Sequence, residues 1–82
     1  MHITVEISYY PLVADYDKPV LELLALLENH PDVSVEPGTM STLLSGEYEV
    51  VMGLLNRSMK QLMQKYPSVF SLKVANACEL KN

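Results

Sequence analysis

Eighty-two residues, 49% of them hydrophobic and 20% charged, make one small globular domain, and no low-complexity tract marks a disordered segment. A net charge of −4 opposes a phosphate backbone and sets nucleic acid aside as a partner. Cys78 is the only cysteine, which excludes an intrachain disulfide and any paired-cysteine metal or redox motif. No stretch approaches the ~18 apolar residues of a membrane helix. Met1 to Tyr10 lacks the basic flank and continuous apolar run of a signal peptide, so a cytoplasmic protein is expected. A domain this small buries only ~60 to 65% of the surface its unfolded chain exposes, so self-association would add stability.

From His2 to Tyr10 the residues alternate, with Ile3, Val5, Ile7 and Tyr9 on one face and Thr4, Glu6, Ser8 and Tyr10 on the other. The spacing predicts a strand with one buried face, ended by Pro11, which cannot donate to a ladder. After a short connection, Asp17 and Pro19 suit the first turn of a helix running to about Asn29. Val20, Leu23, Leu24 and Leu27 follow the i, i+3, i+4, i+7 rule, while Leu21 and Leu26 widen the stripe beyond what one sheet face requires. Pro31 stops this helix, and His30 is expected beside its C-terminal dipole.

Asp32 to Glu36 reads as a second strand with Val33 and Val35 inward. Pro37 and Gly38 are expected as a two-residue hairpin loop, Pro supplying φ near −65° and Gly tolerating positive φ. The third strand then starts at Thr39, with Val35 facing Met40 and Val33 facing Thr42, and Gly46 turns the chain into a helix beginning near Glu47. That second helix, to Tyr66, carries an apolar stripe of Val51, Leu54, Leu55, Met59, Leu62 and Tyr66 opposite Asn56, Arg57, Lys60, Gln61 and Gln64. Pro67 closes it. A last strand from Ser68 to about Cys78 places Phe70, Leu72, Val74, Asn76 and Cys78 on one face, and Glu79 to Asn82 is a polar, fraying tail.

Strand, helix, strand, strand, helix, strand with short links has one common compact solution. It is an α+β, ferredoxin-like βαββαβ domain over residues 1–82, with a four-stranded antiparallel sheet in order 4-1-3-2 and two helices on one face. In that order Glu6 and Lys73 are neighbours on the open face.

Catalysis has little to work with. His2 and His30 stand in no constellation with Cys78 or a serine, so no catalytic residue is assigned and the chain is read as a non-enzyme. The histidines and scattered carboxylates lack metal-ligand spacing, and no metal or cofactor is expected. RNA-binding modules on this scaffold need several aromatics on the open sheet face, where this chain offers Tyr10.

Three segments carry a family resemblance: Ile7-Ser8-Tyr9-Tyr10-Pro11-Leu12, Ser41-Thr42-Leu43-Leu44-Ser45-Gly46 and Asn76-Ala77-Cys78. Together, over about residues 3 to 78, the chain resembles one repeat of the YkoF family, whose better-known members carry two tandem ferredoxin-like repeats and bind thiamin and its hydroxymethylpyrimidine precursor. The resemblance implies non-catalytic binding of such a heterocycle in vitamin B1 salvage or transport. It also implies that a single repeat gains its second unit by forming a homodimer or a dimer of dimers.

An aminopyrimidine needs groups that match its donor and acceptor edge and a slot for its ring. Thr42, Asn76 and Ser8 are the candidates for the first, and Tyr9, Phe70 and Met40 for the second. In the competing reading, Asn76 caps a loop, Tyr9 fills the core, Ser8 faces water, and the domain is a ligand-independent regulatory or scaffolding module.

Overall fold

The computed structural model describes residues 1–77; Cys78 and the tail expected to fray lie outside the described residues. The elements are β1 (His2–Pro11), α1 (Asp17–Glu28), β2 (Ser34–Pro37), β3 (Thr42–Glu47), α2 (Tyr48–Lys65) and β4 (Ser68–Ala75). The antiparallel sheet has the order β2-β3-β1-β4, the ferredoxin-like arrangement that the element order predicts.

Alternation in β1 decides which face is buried. Ile3, Val5 and Ile7 are at most 2% exposed and meet Leu44 of β3, Leu23 and Leu27 of α1, and Val51, Leu54, Leu55 and Leu62 of α2 in a single core. Both helices therefore pack on this face. On the other face the Glu6 and Lys73 side chains, opposite each other in the register, approach to 3.8 Å as expected.

The α2 stripe differs from its reading at one position. Ser58, a polar residue, is buried, completing the i, i+3, i+7, i+11 line from Val51 through Leu54 and Ser58 to Leu62, while Met59 is only half-buried.

The hairpin also differs. Val35 faces Leu44 and Pro37 faces Thr42, so the strands close two residues later than expected and a four-residue loop, Gly38 to Ser41, spans them. The Gly38 N–H donates to the Ser41 carbonyl at 2.8 Å. Gly38 has no positive φ; it is required because a Cβ there would sit 2.9 Å from the Ser41 carbonyl oxygen. The hinge into α2 falls at Glu47, in extended backbone, rather than at Gly46. Gly46 instead pairs with Ile3 inside β3, where a Cβ would press on the Asp32 carbonyl at 3.0 Å and on Val51 at 3.1 Å.

His30 lies beyond the end of α1, and its Nδ1 accepts the Asp32 N–H at 3.3 Å, serving the turn that follows rather than the helix dipole. β4 ends at Ala75, so Asn76 is not the inward-facing strand residue that alternation predicts; it is exposed.

Candidate functional site

The site begins with a mismatch of strand lengths. On its β4 side β1 is paired as far as Pro11 with Ser68, but on its β3 side pairing ends at Ile7 with Thr42. Residues Ser8 to Pro11 thus run past the end of β3, and the hairpin loop bends away instead of extending the sheet. The gap between this overhang, the loop and the first turns of α1 is a cleft of about 410 Å³.

Tyr9, Tyr10 and Pro11 contribute from β1, Val20, Leu23 and Leu24 from α1 with Tyr16 just before it, and Pro37 to Thr42 from the hairpin. No Asp, Glu, Lys, Arg or His is among these residues. Such a lining suits an uncharged or weakly cationic ligand, and its volume is within the range of small-molecule sites. The tyrosine rings offer negative π faces to a cation.

Two residues give the cleft its chemistry. Thr42, only 8% exposed, is on the inner face of β3 beside Leu44, and its hydroxyl makes no hydrogen bond among the described residues. Every fully buried side-chain nitrogen or oxygen among those residues has a partner, so the Thr42 hydroxyl keeps contact with the open cleft. Tyr9 lies against Phe70 with ring centroids 4.3 Å apart and planes 2° from parallel. Its hydroxyl is 2.9 Å from Ser68 Oγ, which itself donates to the Tyr66 carbonyl at 3.0 Å. The Tyr9 hydroxyl is therefore the donor to Ser68.

Behind the cleft the Tyr66 hydroxyl donates to Glu22 Oε2 at 2.8 Å and Lys65 Nζ donates to Glu22 Oε1 at 3.1 Å, joining α1 to the end of α2. The Tyr66 hydrogen bond, and after it that of Lys65, holds the Glu22 carboxyl below its usual range. The same contacts raise Tyr66 and Lys65.

The six sequence candidates separate. Tyr9, Met40 and Thr42 line the cleft, and Phe70 backs Tyr9 without lining it. Met40, expected within a strand, is instead 86% exposed at the loop tip. Ser8 is on the opposite face of β1, in a shallow depression with Glu6, Tyr10, Met40, Ser41, Ser71 and Lys73. The cleft takes Tyr9, Tyr10 and Pro11 from β1 and does not include Ser8. Asn76 lies six positions beyond Phe70, about 20 Å along the strand direction, where its Nδ2 is 3.8 Å from Met1 Sδ.

The sequence reading missed Tyr16 and Ser68. Tyr16, an aromatic just ahead of a helix, was a usable signal; Ser68 acquires its role only through the Tyr9–Phe70 register.

The sequence matches no protein-family model and no curated protein. The structure, however, superposes on several solved ones. A Streptococcus pneumoniae protein matches at TM-score 0.83 with 20% identity, over 92% of this chain and 86% of its own. A Thermotoga maritima protein described as a candidate thiamine biosynthesis/salvage protein matches at TM-score 0.83 with 21% identity, over 99% of this chain and 90% of its own. A domain of unknown function, DUF77, from Bacillus cereus matches at TM-score 0.78 with 22% identity, over 92% of this chain and 75% of its own. At these identities the likeness establishes a shared small ferredoxin-like fold.

Proposed function

We propose that this chain binds thiamin or its hydroxymethylpyrimidine precursor in the cleft between β1, α1 and the β2–β3 hairpin, without catalysing a reaction on it, in vitamin B1 salvage or transport. The observation that carries the proposal is the Thr42 hydroxyl, on a buried residue of the sheet's inner face and without a hydrogen-bond partner among the described residues, where an uncharged, tyrosine-walled cleft opens. A hydroxyl there both donates and accepts, which suits the edge of an aminopyrimidine. The same-fold protein from Thermotoga maritima, described as a candidate for thiamine biosynthesis or salvage, adds support.

The proposal includes assembly as a homodimer or dimer of dimers in the cytoplasm. β4 is an eight-residue edge strand without proline, and Leu21 stands 64% exposed on α1, both surfaces that a second copy would cover.

A thermal-shift panel tests the binding. Thiamin and hydroxymethylpyrimidine are expected to raise the melting temperature while unrelated heterocycles do not, as a ligand of the native state requires. A flat response across the panel would favour a ligand-independent regulatory or scaffolding domain.

A further inference from the structure

The antiparallel register orders the walls of the cleft. Partners on β1 and β3 have residue numbers that sum to 49, as in Ile7 with Thr42 and Val5 with Leu44, so the position opposite Tyr9 belongs to residue 40. β3 begins only at Thr42, and Met40 is turned out on the loop, so that position is empty. On its β4 side Tyr9 is covered by the parallel ring of Phe70. One face of Tyr9 is therefore stacked, and the other opens on the cleft.

The ring is also held in place. Its hydroxyl donates to Ser68 Oγ, and Ser68 is itself tied to the Tyr66 carbonyl. With its proton committed, Tyr9 presents the cleft with a π surface rather than a donor. The polar reading falls to Thr42, the next inward residue across the gap.

We propose that the cleft takes a flat heteroaromatic ring stacked on the free face of Tyr9, as the third layer of a Phe70–Tyr9–ligand column. In this arrangement the Thr42 hydroxyl reads a polar atom at the ring edge, and Ser68 is a positioning residue that fixes the Tyr9 plane. The inference rests on the cleft being the ligand site proposed above and adds the orientation and the selection rule. Aromatic rings are preferred over saturated rings of the same size by up to roughly tenfold, because only the former gain from the offset stack.

The test uses the full chain with four probes: hydroxymethylpyrimidine, thiamin, nicotinamide and its saturated counterpart cyclohexanecarboxamide. Calorimetry gives affinities, and proton NMR of the bound probe gives the ring-current shift. Upfield shifts are expected for the ring protons of a bound aromatic probe, and cyclohexanecarboxamide should bind up to roughly tenfold more weakly than nicotinamide. Tyr9→Leu should abolish the shift and weaken binding by roughly tenfold, the upper end for an aromatic pair. Tyr9→Phe keeps the aromatic face but loses the bond to Ser68, so the shift should persist at reduced size and binding should weaken several-fold, as in Ser68→Ala. Ser68→Ala should weaken binding several-fold and reduce the shift, with rescue by Ser68→Thr, a pattern that loss of stability alone does not produce.

If the pyrimidine compounds bind without an upfield shift and tolerate Tyr9→Leu, the stack is overturned while the thiamin reading survives. If nicotinamide stacks on Tyr9 and neither pyrimidine compound binds, the stack stands and the thiamin reading falls. If no probe binds the wild-type chain, the inference is overturned. Should Tyr9→Leu fail to fold, the Tyr9→Phe and Ser68→Ala shifts decide between the same outcomes.

Discussion

Replacing Thr42 with valine should move stability and binding in opposite directions. Valine keeps the β-branched shape and the strand preference of threonine, so the exchange changes little besides the hydroxyl. That hydroxyl belongs to a residue 8% exposed and has no hydrogen-bond partner among the described residues. Burying such a group unpaired costs ~1 to 3 kcal/mol by protein mutational data. Because the cleft still admits water to it, the lower end applies, and Thr42→Val should stabilise the free protein by about 1 kcal/mol. For a domain of this size that is a rise of roughly 4 to 8 °C in melting temperature. Binding responds the other way, because a polar atom of the ligand would then meet a methyl group. A buried partner left unsatisfied costs about 1 to 3 kcal/mol, or roughly 5- to 150-fold in affinity. Thermal melts of the free protein and calorimetry with hydroxymethylpyrimidine, using Thr42→Ser as the hydroxyl-retaining control, check both halves. A variant that melts lower and binds unchanged would make the hydroxyl a structural group and refute the reasoning.

In the core, Leu55→Ala removes a side chain that is 0% exposed and should destabilise by about 2 to 5 kcal/mol in a denaturant melt. Glu22 sets a pH dependence. Its carboxyl is held low by Tyr66 and then Lys65, so its contribution is present above the ordinary carboxylate pKa and is lost as pH falls through the lowered one. Tyr66 and Lys65 are raised by the same contacts, so their share is lost as pH rises through their raised values. The melting-temperature difference between wild type and Glu22→Gln should therefore be widest near neutrality and narrow in both acid and strong alkali; a difference independent of pH would contradict it. Light scattering at micromolar concentration should give at least a dimer, and a mass of 9.2 kDa across that range would reject the assembly proposal. Thiamin or its pyrimidine should bind more tightly than thiamin diphosphate by about 1 to 3 kcal/mol, since the cleft lining carries no cation to meet a desolvated phosphate. Equal or tighter binding of the diphosphate in calorimetry would count against the site.

Period and punctuation made much of the fold legible. The alternation of Ile3, Val5 and Ile7, the 3.6-residue stripes and the prolines at 11, 31 and 67 lead to the observed elements and strand order. Alternation also puts Thr42 on the buried face and Tyr9 beside it, because facing follows from the period alone. Loop length does not. The two-residue loop expected at Pro37 and Gly38 is a four-residue loop, since Pro37 still pairs with Thr42 and the turn closes through Gly38 and Ser41. That shift of register takes Met40 out of the strand and helps to open the cleft. Asn76 departs from its expected place for a related reason, because periodicity continues in the sequence after the ladder has ended at Ala75. The roles of Ser68 and Tyr66 depend on contacts 44 to 59 positions away in the chain, to Glu22 and Tyr9, and no local pattern encodes them.

The location of the ligand is the central claim, and amide chemical-shift mapping on addition of hydroxymethylpyrimidine tests it most directly. Shifts should concentrate at Tyr9 and Tyr10, from Tyr16 to Leu24, and from Gly38 to Thr42, while Asn76 and the outer-face residues Ser71 and Lys73 stay unmoved. Shifts centred on Ser8, Ser71 and Lys73, or at the Met1–Asn76 end of the sheet, would contradict the account.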